Sequence, residues 1–268
     1  MLKIFLSQTI VLFITLILFT SCDQKTKLEN SSIPLPLTER AQSIIDTGEN
    51  KYSKAANLAL RVLDSMGGEK AWQESRYISW EFIGIRRWLW DKYTGDVRFN
   101  SYEDNLTVLM NLESEEGKAF YDKEQLNDPD SLNKILDLTR KAWVNDSYWL
   151  VMPFKLLEPG VVLSYLNEKN DMAGNLCDVI EMHFDSVGYT PQNKYDIYID
   201  KETSLVSQWT FYPHYDSTAL FSTPWQDYKK YGDIYLTGFH GTINLSHILV
   251  TDSLNRDVFT KLEVNADK

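Results

Sequence analysis

Cysteine is nearly missing from this chain. Only Cys22 and Cys177 occur in its 268 residues, which excludes a disulfide-framed fold. Histidine is almost as scarce, and His183, His214, His240 and His247 are scattered among different segments. The local signatures of catalysis are missing too: there is no GxSxG elbow, HExxH helix, CxxC pair, phosphate loop or dinucleotide fingerprint. No metal, no cofactor and no enzyme activity are therefore expected. Positive charge is in deficit, with 27 Lys and Arg against 38 Asp and Glu and a formal net charge of −11. That excludes nucleic acid as a partner, and it excludes a basic patch drawn to anionic lipid. A transmembrane helix needs about 20 apolar residues. The one candidate block, residues 4–18, falls short and carries Ser7, Gln8 and Thr9.

That block has a different reading. A single Lys3, an apolar stretch and then Phe19-Thr20-Ser21-Cys22 make a lipoprotein signal peptide over residues 1–21, with small residues directly before the cysteine. Cys22 becomes the acylated first residue of the mature protein, and the chain meets the membrane through these N-terminal acyl chains. With Cys22 acylated, Cys177 is left without a disulfide partner and reads as a buried thiol. Residues 22–36 form the lipidated cysteine and a polar, then proline-punctuated tether. One domain is expected over residues 37–268.

Within it, residues 53–66 are helical, because Ala55, Leu58, Ala59, Val62, Leu63 and Met66 fall on one side. Gly67-Gly68 stops that helix, and one further short turn carries Trp72. A second helix starts at Asp128-Pro129 and stacks Leu132, Ile135, Leu136, Thr139 and Trp143 through residue 143. Strands are expected over 77–90, 106–112, 118–121, 147–152, 161–166, 178–184, 194–199, 205–211, 234–237, 243–250 and 258–264. So many short strands joined by short turns mean a mainly β, α+β domain: an unclosed, strongly curved antiparallel β-barrel wrapped around or covered by two or three helices.

The candidate ligand-binding residues follow from the aromatic pattern. If one strand continues through Gly84, alternation puts Trp80, Phe82, Arg86, Trp88 and Trp90 on a common face. Such a face could line a cavity for an acyl chain, with Leu132, Ile135, Leu136 and Trp143 of the second helix as its cover. The same pattern also fits a filled core. In that case the protein would be an interaction module whose acidic surface, or the 213–225 loop, binds another envelope protein. A third reading is an envelope hydrolase with a site assembled in space. Its first suspects are Glu181 and His183, two apart on one strand face, together with Asp196 and Asp200. An alternating strand with one wet face accounts for those four without chemistry.

Several segments resemble a family of Gram-negative envelope lipoproteins of unknown function: Met66-Gly67-Gly68 with Trp72, Arg87-Trp88-Leu89-Trp90-Asp91 leading to Thr94-Gly95-Asp96-Val97-Arg98, and Tyr148-Trp149-Leu150 through Met152-Pro153 to Pro159-Gly160. Val187-Gly188-Tyr189-Thr190-Pro191, Trp209 and Trp225-Gln226-Asp227-Tyr228 extend the likeness. That family is distantly similar to the lipoprotein-localisation (LolA/LolB-like) proteins. The resemblance implies an open barrel with a helix-covered apolar cavity, a lipid, acyl chain or other amphiphile as ligand, and an envelope location at the outer membrane. It implies no catalytic residues.

Overall fold

The computed structural model describes residues 36–47 and 49–264. The leader, Cys22 and the tether up to residue 35 lie outside the described residues. Three helices come first: α1 (Leu37–Thr47), α2 (Asn50–Ser65) and α3 (Gly68–Glu74). Helix α2 is the one expected over 53–66, begun three residues earlier, and it buries the predicted apolar face. Gly67 ends it with φ +114°, a conformation that side chains resist. A Cβ there would stand 2.4 Å from the Asp233 carbonyl oxygen. Helix α1 was not expected. Its first turn is capped from a distance, with Glu69 accepting the Leu37 N–H at 2.6 Å and the Thr38 hydroxyl at 2.7 Å.

The strand expected over 77–90 is a hairpin of β1 (Tyr77–Phe82) and β2 (Arg86–Asp91). Ile83 and Gly84 both have positive φ, and the Ile85 N–H donates to the Phe82 carbonyl at 3.2 Å. This turn, with both central residues left-handed, has the twist that suits paired strands, and residues 83–85 lie between the paired Phe82 and Arg86. Opposed residues share a face, and the register sets Trp80 against Trp88, Ile78 against Trp90 and Phe82 against Arg86. The common aromatic face therefore exists, but cross-strand pairing makes it.

Four more strands extend this sheet: β3 (Asp96–Ser101), β4 (Leu106–Asn111), β5 (Gly117–Tyr121) and β6 (Glu124–Gln125). Helix α4 (Pro129–Lys155) then leads to β7 (Val161–Asn170), β8 (Leu176–Phe184), β9 (Lys194–Asp200), β10 (Val206–Tyr212) and β11 (Phe221–Pro224). The last strands are β12 (Lys229–Tyr231), β13 (Ile234–Leu236), β14 (Phe239–His240) and β15 (Ile243–Thr251). They form an antiparallel eight-stranded sheet in the order β14-β15-β1-β2-β3-β4-β5-β6, a five-stranded sheet in the order β11-β10-β9-β8-β7, and the β12-β13 pair. The two larger sheets meet where Gln226 bridges Phe239 and the Thr223 hydroxyl donates to the His240 carbonyl. Neither sheet closes on itself, and the fold is α+β.

Helix α4 runs between the two sheets. Asp128 caps it by accepting the Ser131 N–H at 2.9 Å, and Pro129 opens it. At about 1.5 Å per residue it is roughly 40 Å long. It absorbs residues 147–152, which were expected to be a strand. The reason is environment: the run from Trp149 to Phe154 is buried on every side, so it shows no helical stripe, and its β-branched and aromatic content mimics a strand. The strand expected over 258–264 is also absent. A short 3₁₀ turn, Arg256–Phe259, stands there instead, because Arg98 donates to the carbonyls of Val258, Lys261 and Leu262 and leaves no ladder to join.

Candidate ligand pocket

The aromatic face of the eight-stranded sheet is closed by α4. Trp80, Phe82 and Trp88 have no exposed surface. Trp88 packs on Phe99 at 4.5 Å and on Trp80 at 6.0 Å between ring centroids. The seal is completed by a buried carboxylate on the helix. Asp146 accepts the Trp88 indole N–H at 2.8 Å and pairs with the Arg86 guanidinium at 2.8 Å. Burial pushes the Asp146 carboxyl up, against the opposing pull of Arg86 and of hydrogen bonds from Asn145 and Trp88. Arg86 also lies 4.9 Å over the Phe82 ring. Its charge is thus met by Asp146 rather than presented to a ligand.

An open space lies on the other side of the same helix. A cavity of about 370 Å³ is bounded by the second half of α4, by the 187–193 segment, and by the inner face of the five-stranded sheet. Register builds that face: Phe211 stands opposite both Tyr195 and Phe221, Tyr195 opposite Met182, and Trp209 opposite Ile197. From the helix come Tyr148 and Trp149, the latter edge-on to Trp209 at 4.7 Å. Phe184 adds a ring at one wall, 6.3 Å from Tyr148. Burial raises the phenols of Tyr148 and Tyr195 above their ordinary value, so both stay protonated and neutral. The Tyr148 hydroxyl donates to the Met182 sulfur at 3.5 Å, a weak acceptor. Charged side chains stand at the ends, Lys141 at one and Lys155 with Glu158 at the other.

Of the nine residues expected to line a cavity, Trp143 alone borders this one, and its ring also meets Trp90 edge-on at 5.3 Å. Trp80, Phe82, Arg86, Trp88 and Trp90 belong to the sealed side. Leu132, Ile135 and Leu136 pack in the first half of α4, where the helix meets β4 and β5. The residues missed carry the same signal as those chosen: Trp209 and Phe211 alternate on one strand, as Met182 and Phe184 do on another.

The hydrolase suspects divide. Glu181 and Asp196 are opposed in register on the outer face of the five-stranded sheet. That face is covered rather than wet. Asp196 is buried and accepts the Tyr212 hydroxyl at 2.7 Å, while Glu181 accepts from Tyr215 at 3.1 Å and faces Lys194 at 3.5 Å. His183 sits 3.6 Å from Glu181. Asp200 stands apart, accepting the N–H groups of Glu202 and Thr203 in the β9–β10 turn. Among the described residues no cluster of three or more His, Cys, Asp or Glu is arranged to hold a metal, and no helix is long and apolar enough to cross a membrane.

No family model and no curated protein matches the chain. Several solved structures are similar to it, two of which follow. One is a DUF1329 family protein from Desulfovibrio piger, with 13% identity over 79% of this chain and 98% of that one, at a TM-score of 0.41. The other is a putative outer membrane lipoprotein-sorting protein domain from Vibrio parahaemolyticus, with 10% identity over 75% of this chain and 97% of that one, at a TM-score of 0.36.

Proposed function

We propose that this chain is an envelope lipoprotein, anchored through acylated Cys22, that holds a lipid, an acyl chain or another amphiphile in the cavity between α4 and the five-stranded sheet. It acts as a binder and not as a catalyst. The observation that carries this reading is the cavity itself, with Tyr148, Trp149, Tyr195, Trp209 and Phe211 around a volume of about 370 Å³. That size lies at the lower end of the roughly 300–1,000 Å³ of small-molecule sites. Each methylene taken from water into such walls contributes about 0.8 kcal/mol, and the neutral phenols add no charge that would have to be desolvated. The walls come from packed strands and a capped helix, so the space exists before a ligand arrives.

The test is titration with a fluorescent fatty-acid probe, using the full chain carrying Cys22→Ser so that no acyl chain of its own competes. Saturable binding with one probe per chain is expected. Val144→Trp, on the helix side of the cavity, should fill the space and weaken binding by about tenfold or more, equivalent to about 1.4 kcal/mol. Unsaturable binding, or a Val144→Trp variant that binds like the parent, would remove the pocket from the account.

A further inference from the structure

The two ends of the cavity differ in charge balance. At one end Lys141 is engaged by Asp137 at 2.8 Å, one turn back on the same helix. At the other, Lys155 sits in the last turn of α4 with a side chain only 16% exposed. Among the described residues its one carboxylate partner is Glu158, at 3.1 and 3.3 Å, which is 42% exposed and reaches toward water. A second ammonium stands close by. Lys92 lies 4.5 Å over the Trp72 ring and donates at 3.4 Å to the Gln73 carbonyl, with no carboxylate within 4 Å among the described residues. Burial and the nearby charge of Lys155 push Lys92 down to about 8. Lys155 thus borders the apolar space with Glu158 as its carboxylate partner, and the second cation behind it has none among the described residues. A chain of formal net charge −11 has here a local excess of positive charge.

Volume sets the rest of the ligand. A cavity of about 370 Å³ lies near the lower end of small-molecule sites, which favours one acyl chain over several.

Resting on the pocket reading above, we infer that the ligand is a single-chain anionic amphiphile, its chain among Tyr148, Trp209 and Phe211 and its carboxylate or phosphate at Lys155. The anion takes the ammonium protons that Glu158 leaves free. Lys92 adds attraction from behind without touching the chain.

Four twelve-carbon probes separate the alternatives on the Cys22→Ser full chain: dodecanoate, dodecyl phosphate, dodecanol and dodecyltrimethylammonium, each displacing the fluorescent fatty acid. Both anions should bind about tenfold or more tighter than dodecanol, the scale of a charge-assisted hydrogen bond, and the cation weakest of all. The ratio of dodecanoate to dodecyl phosphate identifies which headgroup the site prefers. Lys155→Met should abolish the preference while leaving dodecanol within about twofold. Glu158→Gln should tighten both anions, because it removes their competitor. Lys141→Met should change neither. If dodecanol matches the anions, or if Lys141→Met and not Lys155→Met erases the preference, the headgroup assignment falls while the pocket stands. If none of the four displaces the probe, the pocket reading itself falls.

Discussion

The two aromatic faces of this molecule are built from the same residue types by the same cross-strand pairing, yet α4 lies flush on one and stands off the other. Trp80 and Trp88 meet the helix at Asp146, whose carboxylate is anchored by Arg86 and by the Trp88 indole. Trp209 meets it through the rings of Tyr148 and Trp149, and a cavity remains beside Phe211. The polar clamp decides how close helix and sheet come. Aromatic content alone therefore does not separate a core from a pocket; what separates them is whether a buried hydrogen-bonded charge pins the covering element.

The largest effect should come from breaking the clamp. Asp146→Leu leaves the guanidinium and the indole unpaired, and a loss of about 3–5 kcal/mol is expected in urea unfolding, the scale of a buried pair stripped of one partner. A loss under about 1 kcal/mol would mean that the clamp does not hold α4 down. Next, Trp88→Ala should cost about 3–5 kcal/mol as a packed aromatic truncated to a void, whereas Phe211→Ala, with open space beside its ring, should cost about 1–2 kcal/mol. Phe211→Ala should shift probe affinity and Trp88→Ala should not. Equal losses would erase the contrast between the two faces.

A third expectation concerns the seam where the sheets meet. His240 is buried between Trp225 and Trp149, at 4.3 and 5.6 Å between ring centroids, and burial pushes its imidazole down to about 4. The folded value lies below the ordinary 6.5, so the unfolded chain binds the proton first. This contribution to stability is complete above about pH 6.5 and is lost as pH falls toward 4, on the order of 3 kcal/mol in all. Thermal midpoints measured from pH 7 to 4.5 should fall more steeply in the parent than in His240→Phe; parallel curves would clear His240 of the effect. The smallest change is expected on the outer face of the five-stranded sheet. His183→Ala should shift stability by about 1 kcal/mol or less and leave probe binding unchanged, and a change in binding would return attention to Glu181 and Asp196.

How far the sequence announces all this depends on burial. The first half of α4 was legible because Leu132, Ile135, Leu136 and Thr139 recur at helical spacing beside a polar face. The second half was not, because both sheets cover it and the spacing loses its contrast. Strand periodicity read the paired faces correctly even where the hairpin at Ile83-Gly84 was missed, since opposed residues in a hairpin keep to one side of the sheet. Which face holds the cavity was invisible. It depends on Asp146 reaching Trp88 and Arg86 from 58 and 60 residues away, and no local window contains that contact.

The pairing of β1 with β15 also sets the order in which the chain can finish folding. Strand β1 is buried along its whole length, with β2 on one side and β15 on the other, and Tyr77 is in register with Thr251. One neighbour is available within a few residues of synthesis; the other is made only after β2 to β14. Until β15 arrives, this fully buried strand of the larger sheet presents a bare row of amide and carbonyl groups. Long-range closure of this kind is slow. A chain cut short before residue 243 is left with that edge as a template for pairing with other copies, so its failure takes the form of aggregation rather than of a smaller folded protein.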